Sequence, residues 1–330
     1  MVEIKTYKGN ERIGEKKINK QNCEMTIVEY YNSNKIVVEF NDDLHTRVNT
    51  SYHNFSYREV KNPNLQDYRL LEMKSKMIGK ENYNAQGCLM KIIDYNGNED
   101  VVVEFQDEHK IRKHCDLKEF KLGHVMNPYY KSVFGIGYYG GEIPKHSTDL
   151  DYKCWGTWKG MLERCYSDKR IELQPTYKDC TVCEEWHNYQ NFKIWFNENF
   201  IELKDKNERV CLDKDILVKG NKIYSPETCC FVPNEINVLF TKNNKNRGNY
   251  PIGVYYKKKL RKYISQCSEK IGKEKKTQIY LGAFNTPEEA FQAYKKHKEQ
   301  YIKKVADKYK GQIKDNVYEA LYKWEVEIDD

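Results

Sequence analysis

The sequence predicts an α+β multidomain protein: tandem small β-barrels, a mixed α/β domain, and a C-terminal three-stranded sheet plus helix. Three observations predict it. A set of residues recurs at one fixed offset through the first 130 positions. Four of the five tryptophans crowd into residues 151–240. Lys and Arg concentrate in residues 241–310, which hold 19 of them against 6 Asp/Glu.

The repeat is read first. Cys23, Met25, Ile27 and Tyr30 recur as Cys88, Met90, Ile92 and Tyr95. Glu39-Phe40, Phe55, Val60 and Asn62-Pro63 recur as Glu104-Phe105, Phe120, Val125 and Asn127-Pro128, each 65 positions on. A constant offset held over so many positions marks two copies of one module. Within a copy, Met90 and Ile92 and the run Val101–Phe105 alternate with period two and read as strands. Asn96-Gly97 between them is a hairpin signal. Short strands in so small a unit predict barrels of the Src-homology-3-like sort at residues 1–65 and 66–130. Two copies are too few for a solenoid. Their role stays open between structure and binding, including binding of a host protein through residues 1–130.

Residues 129–150 are rich in Gly and Tyr, end near Pro144-Lys145-His146-Ser147, and read as a linker. In the mixed domain, 151–240, Trp158, Leu162 and Cys165 keep helical spacing. Trp186, Tyr189, Phe192 and Trp195 do so at steps of three. Two amphipathic helices with core tryptophans follow. Cys180 and Cys183 have zinc-ligand spacing, but the neighbouring Trp186 favours core packing over a zinc site. Asn243–Pro251 is a polar, basic linker.

The last domain, 250–330, has three strand patterns, at Ile252–Tyr256, Lys262–Cys267 and Thr277–Phe284. A marked helix start follows. Thr286 is the N-cap, Pro287 sits at N1, and Glu289 takes the capping-box position. Ala290, Tyr294, His297, Tyr301 and Val305 form the stripe that packs on one face of the sheet. Tyr318–Asp330 reads as a short helix and strand. The local charge is +13, against −6 for the remainder of a chain of net +7. A basic block with folding pattern is an electrostatic footprint for a polyanion.

Gly253-Val254, the second strand, Tyr280-Leu281-Gly282-Ala283-Phe284-Asn285-Thr286-Pro287-Glu288-Glu289-Ala290 and then Ala293-Tyr294 resemble the ethylene-response-factor (integrase-like) DNA-binding domain. That family lays a three-stranded sheet in the major groove of duplex DNA. The resemblance implies DNA contacts at Tyr255, Lys257, Arg261, Lys262, Gln266, Ser268, Gln278 and Tyr280. Tyr, Gln or Ser stands at several contacts where the plant members carry Arg, so their target sequence does not transfer. By chemistry, Arg261 suits guanine, and Gln266 and Gln278 suit adenine. Lys257 and Lys262 suit phosphates.

Upstream, Arg209–Ile216 reads as a strand. Gly220-Asn221-Lys222 and Tyr224-Ser225-Pro226-Glu227-Thr228-Cys229-Cys230-Phe231-Val232-Pro233 follow it. The set is similar to the HNH nuclease pattern, with departures. Lys214 stands where the general-base His belongs, and Thr228 replaces the Asn of Pro-Glu-Asn. A lysine at its ordinary pKa cannot act as a base near neutral pH. The resemblance leaves Asp213, Asp215, His187 and Asn221 as catalytic candidates, with Asp213 and Asp215 as ligands for Mg²⁺. In an extended strand Asp213 and Asp215 share one face and Lys214 points away.

The chain as a whole resembles phage or prophage proteins. Two functions follow: a sequence-specific double-stranded DNA-binding protein needing no cofactor, or an HNH-type homing or nicking endonuclease needing Mg²⁺. A phage anti-defence protein that binds a host protein is the third reading. No run of about 18 apolar residues predicts a membrane span, and Met1–Gly14 lacks the apolar core of a signal peptide. Eleven scattered cysteines fit reduced thiols in the cytoplasm of a bacterial host.

Overall fold

The structure is a computed structural model that describes residues 10–65, 68–142, 148–241, 250–271 and 275–328. The Pro144–Ser147 and Asn243–Asn249 parts of the expected linkers lie outside the described residues. The fold is mixed α and β with several small, mostly antiparallel sheets. The chain divides into two compact units, residues 1–127 and 128–330.

Unit 1 holds both repeat copies. The first runs β1 (Lys16–Ile18), β2 (Glu24–Asn32), β3 (Lys35–Phe40), β4 (Arg47–Thr50) and α1 (Tyr52–Ser56). The second runs α2 (Tyr68–Met77), β5 (Glu81–Tyr83), β6 (Leu89–Tyr95), β7 (Val101–Phe105), β8 (Arg112–Cys115) and α3 (Leu117–Leu122). Each copy is a four-stranded antiparallel sheet in sequential order. The bulge at Ile27/Glu29 in β2 returns at Ile92/Asp94 in β6.

The expected barrels do not form: among the described residues no sheet closes on itself. The outer strands are too short to wrap around a core, at three residues in β1 and β5 and four in β4 and β8. A helix covers the open side instead, burying Phe55 from α1 and Phe120 from α3. The alternating residues of β2 and β3 supply most of one core, and those of β6 and β7 most of the other.

A buried polar network also recurs. Asn19 Oδ1 accepts the Gln21 and Cys23 N–H groups, and Asn84 Oδ1 accepts those of Gln86 and Cys88. Gln21 Oε1 accepts Asn62 N–H at 2.7 Å, and Gln86 Oε1 accepts Asn127 N–H at 2.7 Å. Asn62 and Asn127 donate in turn to Asp42 and Asp107. These bonds tie the end of each copy back to its beginning. They satisfy groups whose burial unpaired would cost about 1–3 kcal/mol each.

Unit 2 begins with residues 128–142, which pack rather than link. Val133 is buried and bridges Gly137. A Cβ at Gly137 would lie 2.5 Å from Leu162 Cδ1 and 3.0 Å from the Trp158 ring, so a larger residue there would force those buried side chains to shift. There follow α4 (Asp149–Tyr166), α5 (Asp168–Leu173), β9 (Thr181–Val182), α6 (Tyr189–Asn199), β10 (Val210–Asp213), β11 (Ile223–Tyr224), β12 (Cys230–Pro233) and α7 (Asn234–Asn237). α4 buries Trp158, Leu162 and Cys165, and Trp158 Nε1 donates to Trp186 O at 2.7 Å. Trp186 sits in a 3-10 turn ahead of α6, which buries Tyr189, Phe192 and Trp195.

The chain ends with β13 (Val254–Lys257), β14 (Lys262–Ile271), β15 (Lys275–Phe284), α8 (Pro287–Lys308) and α9 (Asp315–Tyr322). One apolar core runs from the α4–α6 aromatics into α8 and α9. Glu235 of α7 takes bonds from Lys308 and Tyr309 Oη, and the Phe240 and Trp324 rings lie 4.3 Å apart. After α9 the described tail forms no strand, contrary to expectation. It is held instead by Val326, buried, with its N–H on Glu299 and its carbonyl taking Lys295.

Candidate nucleic-acid interface

β13, β14 and β15 form an antiparallel sheet in that order. β14 and β15 outrun their sequence signal because Ser268–Ile271 and Lys275–Thr277 are mostly polar and show no apolar alternation. Thr286 caps α8 as expected, accepting Glu289 N–H. Glu289 reaches back to Asn285 N–H, one residue before the cap. α8 buries a wider stripe than expected: Ala290, Phe291, Tyr294, Tyr301, Ile302, Val305 and Ala306. His297 stays half-buried and meets Glu269 of β14 at 2.6 Å.

The register separates the two faces. Residues opposite each other across a ladder share a face, and alternate residues along a strand share it too. The helix face carries Ser265, Cys267 and Glu269 of β14, with Val254 and Ile279 opposite them. Cys267 is buried there, and Glu269 holds His297. A bulge at Ser265/Gln266 leaves Leu281 unpaired and packed on the core.

The other face is formed by five rungs, the last of them Lys270 with Lys276. Lys257 pairs with Lys262, and Tyr255 with Ile264 and Ala283. Gln266 then pairs with Tyr280, and Ser268 with Gln278. Seven of the eight DNA-contact candidates, Tyr255, Lys257, Lys262, Gln266, Ser268, Gln278 and Tyr280, therefore lie on one sheet face, away from α8. None of the residues on these rungs is acidic. Tyr280 is 64% exposed and Tyr255 40%, while Ile264, at 2%, is a floor beneath its neighbours.

Arg261, the eighth, sits in the β13–β14 turn in the left-handed region at φ 50°. It is exposed. The sequence reading passed over Lys258, Lys259 and Leu260 of the same turn, all exposed. Their signal was the basic run that Leu260 alone interrupts: positions 257–262 hold five cations. Lys262 also donates to Asn285 Oδ1.

The middle-domain candidates are arranged differently. β10 ends at Asp213, so Lys214 and Asp215 lie in a turn and the expected shared face does not exist. Asp213 Oδ1 accepts the N–H groups of Asp215 and Ile216 at 2.7 and 2.8 Å. Burial pushes its carboxyl above the usual range. Lys214 turns inward, and its Nζ donates to both Asp215 oxygens, at 2.9 and 2.8 Å, and to Asn221 O. The Asn221 side chain is spent on the backbone of Lys214 and Ile223. His187 places Nε2 3.1 Å from Val182 O, and burial lowers its pKa.

This donor set does not fit a divalent cation. An ammonium already occupies the Asp215 carboxylate, and one Asp213 oxygen is committed to two backbone amides. Cys180 is buried and Cys183 half-buried, and burial raises both thiols. Among the described residues no three His, Cys, Asp or Glu side chains converge. No family model matches the chain, and no curated protein or solved structure does.

Proposed function

We propose that this chain is a sequence-specific double-stranded DNA-binding protein, of phage or prophage origin by its resemblance, that lays the β13–β15 sheet in the major groove. One observation carries the reading. The face turned away from α8 presents an acid-free surface of Gln, Tyr and Ser, with five cations at the turn that ends it. The wide major groove admits a β-ribbon, and phosphates supply most of the affinity. The HNH-like segment of β10, β12 and α7 serves on this reading as a support for the sheet, since Glu235 of α7 is bonded to α8 and to the residue that follows it. The Lys214–Asp215 pair favours binding over Mg²⁺-dependent cutting.

The test is binding of a labelled duplex by the intact chain across a salt series. Five phosphate-contacting cations predict a log–log slope of about −4.5. A slope near zero, or no binding at low salt, overturns the proposal.

A further inference from the structure

We infer that the sheet selects a DNA site whose core is rich in A·T pairs, an inference that rests on the DNA-binding reading above. The observation is the order of side chains along the open face. Cations stand at its two ends by register: in the Lys257–Lys262 rung with the adjoining Lys258, Lys259 and Arg261, and in the Lys270–Lys276 rung beyond Ser268. The three rungs between them are uncharged: Tyr255 with Ile264 and Ala283, Gln266 with Tyr280, and Ser268 with Gln278. Alternate residues on a strand are about 6.7 Å apart, so these rungs span about 13 Å, or about four base-pair steps when the strands run along the major groove.

Base-edge chemistry then decides what such a surface reads. Guanine offers two acceptors and calls for Arg or Lys. Cytosine offers a donor and calls for Asp or Glu. The three uncharged rungs hold neither kind of residue. Adenine presents an acceptor beside a donor, which one Gln amide matches with both its groups. Thymine presents a methyl group, which meets apolar surface. Gln266 and Gln278 are the two amides, and the Tyr255 and Tyr280 rings and the exposed Ala283 methyl are the apolar surface.

Gln278 stands opposite Ser268, one rung beyond Gln266. One rung is about two base-pair steps, so the two amides reach adenines about two steps apart when the strands follow the groove. Arg261, on the turn and outside the rungs, reaches toward one flank of the site.

The experiment is selection of random-core duplexes by the intact chain, repeated with Gln278→Arg, whose position is exposed and outside the core. The expected wild-type core is A·T-rich, and exchange of one selected A·T pair for G·C weakens binding about tenfold. Replacing selected thymines with deoxyuridine, which removes only the methyl group, is expected to weaken binding several-fold. Gln278→Arg is expected to move one core position to guanine. A G·C-rich core, or an identical core from both proteins, overturns the inference and leaves DNA binding standing. Failure to enrich any duplex overturns both.

Discussion

Unit 1 and the β13–β15 sheet keep their information on opposite sides of the backbone. In unit 1 what recurs is chiefly inside: Met25, Ile27, Phe40 and Phe55 return as Met90, Ile92, Phe105 and Phe120, all buried. The polar network of Asn19, Gln21, Asp42 and Asn62 returns with its bonds intact. Where one partner changes, the other changes too. Arg12 lies 3.8 Å from the Tyr52 ring centre in the first copy, and the same two positions are the buried pair Met77 and Leu117 in the second. Among exposed sites, apolar side chains recur at Ile13/Ile78, Ile18/Tyr83 and Tyr57/Leu122. In the C-terminal sheet the distinctive residues are outside, on a face that α8 does not cover. The contrast teaches that the repeats specify a shape, whereas the sheet presents a surface.

The largest expected effect cuts the two apart at the surface. Lys257, Arg261 and Lys262 changed together to Ala should lower DNA affinity by roughly a hundredfold and flatten the salt slope by about 3. These side chains lie outside the core, so the melting temperature should hardly move. A fluorescence-anisotropy titration beside a melting curve reads both. Unchanged affinity would place the DNA-binding surface elsewhere.

The reverse cut is in the core. Phe120→Ala removes a side chain that is 4% exposed beneath α3 and should destabilise unit 1 by about 3–5 kcal/mol. Phe55→Ala, at 0%, should cost at least as much in the first copy. Both proteins should still bind DNA, because the sheet belongs to unit 2. Urea melts and the same titration check this. Loss of affinity in either would mean that the repeats take part in binding.

What the sequence disclosed follows the same division. The repeat was legible because its core positions must alternate, and alternation survives as a pattern of residue types. Barrel closure was not legible. It depends on the lengths of β1, β4, β5 and β8, whose residues are mostly polar, so no apolar alternation marks where they stop. The Asn19/Asn84 and Gln21/Gln86 matches stood at the same offset but were passed over because polar residues do not suggest a core. The open sheet face was legible through family resemblance and the basic run at 257–262. The inward turn of Lys214 was not, because Val210–Asp215 continues a strand pattern and only the Asp213 bonds to Asp215 and Ile216 end it. Helical spacing also named Ala290, Tyr294, Tyr301 and Val305 on α8, but not their neighbours Phe291, Ile302 and Ala306, which are buried in the core that α8 shares with α9 and the middle domain.

The smallest effect tests the polar network of unit 1. Asp42 accepts Asn62 Nδ2 at 2.6 Å and the Thr46 N–H and hydroxyl at 2.8 and 2.7 Å. The Asn62 bond, followed by those of Thr46, lowers its pKa to about 2. An unfolded aspartate titrates near 3.9, so the folded state holds this proton more weakly than the unfolded state. The stabilisation is therefore complete above about pH 4 and drains away as pH falls toward 2. The carboxyl carbon of Asp42, followed by NMR, should titrate near 2 in the native chain. In Asn62→Ala its midpoint should rise toward 3.9, and the loss of unit 1 stability between pH 4 and 2 should become shallower. A midpoint unmoved by that substitution would assign the shift to Thr46 alone and leave Asn62 as a spacer between the copies.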